Sequence, residues 1–110
     1  MPSESFSVAT SVAINADAIA GSRYSRKPFS RRLVGVGMAG STAPGDWQLR
    51  VEVEGGEMSN FKNSRGGANT FPNNDDMQAC NIPIPANFLL EMRVIIATTT
   101  NPGQVLLVFI

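Results

Sequence analysis

Five of the nine basic residues of this 110-residue chain fall in the stretch "GSRYSRKPFSRR", Gly21 to Arg32: Arg23, Arg26, Lys27, Arg31 and Arg32. Tyr24 and Phe29 stand among them. Cations interleaved with rings are what holds a single-stranded nucleic acid, with phosphates on the cations and bases on the rings. Three features weigh against that use. Only two rings are present, Pro28 breaks any basic helix, and the rest of the chain carries four basic residues against nine acidic ones. The cluster is thus a local feature of a chain whose formal net charge is zero. A basic loop that meets an acidic strand face of a neighbouring copy suits that balance better, since opposite patches on one chain join copies head to tail. Glu52 and Glu54 offer such a face. The expected subunit contacts are therefore Arg23, Arg26, Lys27, Arg31, Arg32, Glu52 and Glu54, with a small nucleic-acid-binding β-barrel as an alternative.

Other reactive constellations are sparse. Without a histidine, Ser-His-Asp and Cys-His arrangements are impossible and the commonest general base near neutral pH is missing. Cys80 is the sole cysteine, so it forms no internal disulfide and supplies at most one thiolate to zinc. The run "NNDD" at residues 73–76 offers hard oxygen donors, but not at calcium-loop spacing, and reads as a solvated turn. "GVGMAG", Gly35 to Gly40, matches the dinucleotide pattern G-x-G-x-x-G, which works only when its last glycine opens a helix that receives the pyrophosphate. Pro44, Gly45 and an alternating strand follow instead, so these glycines mark bulges or leave room where something crosses the strand closely. No catalytic residue, cofactor site or metal site is expected, and the chain does not read as an enzyme.

The elements that position these residues show a period of two. In "WQLRVEVE", Trp47, Leu49, Val51 and Val53 alternate with Gln48, Arg50, Glu52 and Glu54, which describes a half-buried strand with its charges in solvent or against a neighbour. "FSVATSVAI" repeats this more quietly: Phe6, Val8, Thr10, Val12 and Ile14 on one face, and Ser5, Ser7, Ala9, Ser11 and Ala13 on a small-residue face. "RRLVGVGMAG", "FLLEMRVIIATTT" and "QVLLVFI" supply further strands, with Leu90, Met92, Val94 and Ile96 in phase. The last of these is expected to pair within a sheet or to be covered by a partner, because an open apolar edge aggregates. Only "AINADAIAG" has room for a helical turn or two. "APGDW", "EGGEM", "NSRGGANTFPNNDD", "IPIPAN" and "TNPGQ" read as turns, and Asn60 to Asn81 as one long excursion of the kind that carries contacts. The expected fold is all-β: one domain over residues 1–110, an antiparallel β-sandwich, jelly-roll-like or immunoglobulin-like, of about seven short strands.

Trp47 is the only tryptophan; its apolar register makes it a core residue rather than a sugar-stacking platform. A lectin-like ligand module would instead use the long excursion and its aromatics Phe61 and Phe71. The N-terminus lacks a signal-peptide pattern and no apolar run reaches the roughly 20 residues of a membrane span, so synthesis in the cytoplasm is expected. Charged residues make up 16% of the chain, well below the roughly 25% usual in soluble domains. Low charge, small-residue faces and no reactive set suit a structural protein that packs against copies of itself and other structural chains, with virion capsid, spike and decoration subunits as the fold-level analogy.

Overall fold

The computed structural model describes residues 3–10 and 12–110. Ser11, assigned by pattern to the small-residue face, lies outside the described residues. Among the described residues seven strands form the fold: β1 (Ser3–Val8), β2 (Arg31–Gly40), β3 (Gln48–Val53), β4 (Gly56–Lys62), β5 (Met77–Ile84), β6 (Leu90–Ile96) and β7 (Gly103–Phe109). They build a four-stranded sheet in the order β1-β7-β2-β5 and a three-stranded sheet in the order β4-β3-β6, with antiparallel pairing throughout. The antiparallel β-sandwich anticipated from the strand pattern is the fold. In the constant immunoglobulin arrangement the last strand lies beside the sixth; here β7 is inserted between β1 and β2.

The core follows from alternation. Trp47, Leu49 and Val51 are fully buried on the inner face of the three-stranded sheet, opposite Leu33, Val36, Met38, Val105 and Leu107 of the other. Each such side chain contributes about 1.5–3 kcal/mol by leaving water. Leu33 and Val36 are three apart, yet both point inward, because the ladders of β2 shift register between Leu33 and Gly35. One extra residue turns the strand by one face. The same device corrects the reading of β6. Gln48 pairs with Ile96 and Leu49 with Val94, so Ile95 is inserted, and Ile96 falls out of phase with Leu90, Met92 and Val94 and is 42% exposed.

β2 runs unbroken through "GVGMAG", and a turn rather than a helix follows Gly40. The glycines serve close crossings. A Cβ on Gly37 would sit 2.7 Å from the Met77 sulfur and 3.1 Å from Pro72 Cβ, so the Met77 side chain lies across the strand where a fingerprint would have held a phosphate. Gly103 at the start of β7 is tighter still, since its Cβ would lie 2.4 Å from the Trp47 indole.

Other expectations are revised. The first strand ends at Val8 rather than continuing to Ile14, whose side chain is 54% exposed. "AINADAIAG" forms no helical turn. Its backbone instead pairs with the outer edge of β6, Asn15 N–H donating to Val94 O (2.7 Å), Val94 N–H to Ala16 O (2.9 Å) and Ala18 N–H to Met92 O (2.8 Å). An edge strand left open is an association hazard, and this segment closes one. The excursion from Asn60 to Asn81 starts inside β4 and ends inside β5, leaving residues 63–76 as the loop. β4 escaped the pattern reading because it has one buried residue, Phe61; its ladder with β3, not amphipathicity, makes it a strand. β7 is paired on both sides, and Arg32 and Ile110 exchange backbone hydrogen bonds of 3.0 and 2.9 Å.

Gly103→Ala drives a methyl into the indole of Trp47. Overpacking of this kind costs about 1–3 kcal/mol, and urea unfolding followed by Trp47 fluorescence should show a loss at the upper end of that range; an unchanged midpoint would contradict the close packing of the two sheets.

Candidate functional site

Residues 21–30 leave the β6 edge and pass over the end of the sandwich where β2 begins and β7 finishes. Local polar contacts shape the crossing. The Ser22 hydroxyl accepts from the Tyr24 amide (3.2 Å), and buried Ser25 donates to Ile19 O (2.6 Å). Ser25 O and Lys27 O accept from the Leu90 and Asn87 amides, both at 2.7 Å, which ties the stretch to the β5–β6 turn. Tyr24 packs on Phe6 with ring centroids 5.8 Å apart and donates to Ser5 O at 2.9 Å. The ring considered above as a base-stacking platform is thus engaged with β1.

The basic residues divide by what they meet. Arg23 pairs with Glu4 at 3.0 Å, and that hydrogen bond raises its already high pKa. Arg32 donates to Asn81 Oδ1 at 2.7 Å. Arg26 donates to Asn87 O and lies 3.9 Å from Glu54. The expected acidic face is arranged differently from the pattern reading. Glu52 is in β3, 7% exposed, 2.9 Å from Arg50 and 3.8 Å from Arg93. Glu54 has left the strand for the β3–β4 turn, with φ +52°, and accepts from the Leu89 amide at 2.6 Å. The two carboxylates therefore do not share one strand face, and both are engaged within the chain. The basic loop and the Glu54 turn meet in the same molecule because both lie at this end of the sandwich.

Arg31 stands apart from its neighbours. It shares the inward register with Leu33, is 8% exposed, and lays its guanidinium over the Phe109 ring, 5.0 Å from the centroid. Its Nε and Nη2 are buried with no hydrogen-bond acceptor. Burial pushes its pKa down, opposed by the charge of Glu4. Arg31 forms a wall of two clefts. One, of about 290 Å³, is completed by Glu4, Lys27, Phe29, Ser30, Phe109 and Ile110. The other, of about 420 Å³, lies towards Arg32, Pro83 and Pro85. The sequence showed Arg31 as one of five cations. Its distinguishing signal was available: a charged residue two positions before Leu33, in the apolar register of a strand.

The alternative ligand loop is also revised. Phe61 is 4% exposed in the core, so of the two aromatics only Phe71, at 60%, presents its ring to solvent. Asp76, read as part of a solvated turn, is buried at the end of the 3-10 turn Asn74–Asp76. Its carboxylate accepts from Arg65 Nη2 (2.9 Å), from the Ser64 hydroxyl and from the Asn73 amide (2.7 Å). Asn63, which no pattern marked, is 2% exposed and ties the end of β4 to three points of the β2–β3 connection: its Nδ2 donates to Gly40 O and Ala43 O (3.1 and 2.9 Å) and its Oδ1 accepts from the Trp47 amide (3.1 Å). Burial raises the pKa of the Cys80 thiol, which makes it a poor nucleophile near neutral pH. Among the described residues no three potential metal-ligating acids or thiols converge, and no helix is long and apolar enough to cross a membrane. No protein-family model matches the chain, and a search of curated proteins returns no significant match.

The Arg65 hydrogen bond, with those of Ser64 and Asn73, holds Asp76 down to about 2, against an ordinary 3.8. A carboxyl whose folded pKa is depressed stabilises the fold above its unfolded value and loses that contribution as pH falls through the folded one. Stability should therefore decline between about pH 4 and pH 2 in part through this group. Asp76→Asn should cost about 1.5–3 kcal/mol at neutral pH and flatten the acid limb of a denaturation-versus-pH series; an unaltered acid limb would show that the loop network does not carry this linkage.

Proposed function

We propose that this chain is a structural subunit that works by packing against copies of itself and other structural chains, of the class that builds the capsids, spikes and decorations of virions. The observation that carries the reading is the outward face of the four-stranded sheet. Strand register aligns three cross-strand rows there: Ser3, Val108, Gly35 and Ala79; Ser5, Leu106, Gly37 and Met77; Ser7, Gln104 and Ala39. None of these eleven residues is charged; Gly35, Gly37 and Ala39 are buried, the Met77 side chain lying over the two glycines, so the accessible part of the face is Ser3, Ser5 and Ser7 of β1, Gln104, Leu106 and Val108 of β7, and Met77 and Ala79 of β5. Phe71 and Pro72 lie beside the second row and line a groove of about 390 Å³ with Ser5, Ser7 and Leu106.

The opposite face of the sandwich provides the contrast. Arg50, Glu52, Glu91 and Arg93 cover the outside of the three-stranded sheet and pair among themselves. A sandwich ordinarily alternates inward apolar with outward polar residues. Here the three-stranded sheet obeys that rule and the centre of the four-stranded one does not. An uncharged sheet surface of serine and apolar side chains costs less to desolvate than one covered by ion pairs, which is what a subunit contact needs. The fold-level likeness to virion sandwiches is an analogy of architecture. The assembly role rests on the face itself.

Sedimentation velocity or mass photometry at tens of micromolar should find concentration-dependent association. Leu106→Lys puts a charge at the centre of the middle row and should weaken association by at least about tenfold, a change of about 1.4 kcal/mol, with Trp47 near-ultraviolet dichroism preserved. A persistent monomer, or association indifferent to this substitution, would refute the reading.

A further inference from the structure

We propose that the cleft between Phe29 and Phe109 binds a single carboxylate carried on a small apolar group, with Arg31 as its counter-ion. The site stands whether or not the chain assembles through its uncharged sheet face.

Arg23, Arg26, Arg32, Arg50, Arg65 and Arg93 each donate to a carboxylate, a side-chain amide oxygen or a backbone carbonyl. Arg31 is also the most buried arginine, and among the described residues it alone has no acceptor for its guanidinium. A buried ion is costly unless paired and hydrogen-bonded, and the Phe109 ring satisfies its face but not its edge. A planar guanidinium can remain stacked on a ring while its edge donates to a carboxylate. With no internal hydrogen bond to break, turning that edge towards a ligand forfeits none.

The lining specifies the ligand. Of the side chains around the cleft, Lys27 and Arg31 are positive, and the one negative group, Glu4, is paired with Arg23 at 3.0 Å, so the cleft suits an anion. A carboxylate on an apolar group can fill the walls as well, whereas inorganic phosphate has no apolar part to bury against them. Phe29, Phe109 and Ile110 supply apolar walls, and Phe29 is 56% exposed at the mouth. A volume of about 290 Å³ lies at the bottom of the range for small-molecule pockets, so it holds one side chain or one short organic acid rather than a nucleotide cofactor. The carboxylate can come from an acidic residue of a second copy or from a free small acid; the chemistry is the same.

The test is a heteronuclear NMR titration of the Leu106→Lys protein, which keeps assembly from interfering, using hexanoate, its neutral isostere hexanamide, and inorganic phosphate. Hexanoate should move the Arg31 Nε–H resonance saturably, and hexanamide and phosphate should bind at least tenfold more weakly. Arg31→Met should abolish the hexanoate response in a protein that remains dispersed in its amide spectrum. Should that variant unfold, Phe29→Ala, which removes an exposed ring, should weaken hexanoate several-fold. In the unsubstituted protein without ligand, an Arg31 resonance that moves with protein concentration and is restored by hexanoate assigns the carboxylate to a second copy; a concentration-independent resonance that still titrates with hexanoate assigns it to a free acid. The proposal is overturned if hexanoate leaves the Arg31 Nε–H unmoved in folded protein, or if hexanamide or phosphate binds as tightly.

Discussion

The two sheets are locked by the contact of Trp47 with Gly103. The indole lies where a side chain on Gly103 would be, and it is wholly removed from water. A ring of that size between two layers requires a partner strand with no side chain at the crossing, and β7 supplies one at its first residue. From that point the inward positions Val105, Leu107 and Phe109 follow at intervals of two, so the close contact at one end sets which face of β7 meets the core. Phe109 in turn lies beneath Arg31, and the core thereby reaches the cleft at the far end of the sandwich.

The distribution of charge follows from how the ends and faces are used. Ion pairs on the outside of the three-stranded sheet are made within one or two strands, between residues the ladder already holds side by side. Such pairs give solubility at small cost and leave little charge for a distant partner. The basic loop is likewise largely spent on its own chain, through Glu4, Glu54, Asn81 and the β5–β6 turn. An electrostatic contact between copies built on Arg26 and Glu54 would compete with one already formed internally. This shifts the weight of the assembly reading from charge to the uncharged face, whose β1 and β7 residues stay accessible while Met77 and Pro72 cover β2.

The loops at the other end are held by polar groups rather than by burial of apolar surface. Asn63 gathers partners along the β2–β3 connection and Asp76 gathers donors from both ends of its own loop, and both are nearly inaccessible to solvent. Satisfied buried networks specify one arrangement of the chain because a partial set of bonds leaves a costly unpaired group. A glycine-rich, asparagine-rich stretch that would otherwise be floppy is thereby given one shape, and Phe71 and Pro72 are carried to the edge of the uncharged face.

Strand character, the sandwich class and much of the core are legible in the chain alone, because alternation at a period of two is a local property that each segment carries. Trp47 through Val53 is legible in this way, and the glycines of "GVGMAG" could be assigned to a strand because no helix could follow them; "QVLLVFI" is apolar on both faces, so which of its residues turn inward is set by packing. What depends on two segments at once came from packing. The bulges that bring Leu33 and Val36 to one face and expose Ile96 are defined by the pairing partner; β4 exists through its ladder; and residues 13–21 gave up any helical turn to pair with the β6 edge. The same holds for the site: Glu54 and Arg26 meet, and Arg31 lacks an acceptor, only because of what the fold places around them. A residue's type is written in the chain, but whether its charge finds a partner is settled by which distant groups the packed layers bring within hydrogen-bonding distance.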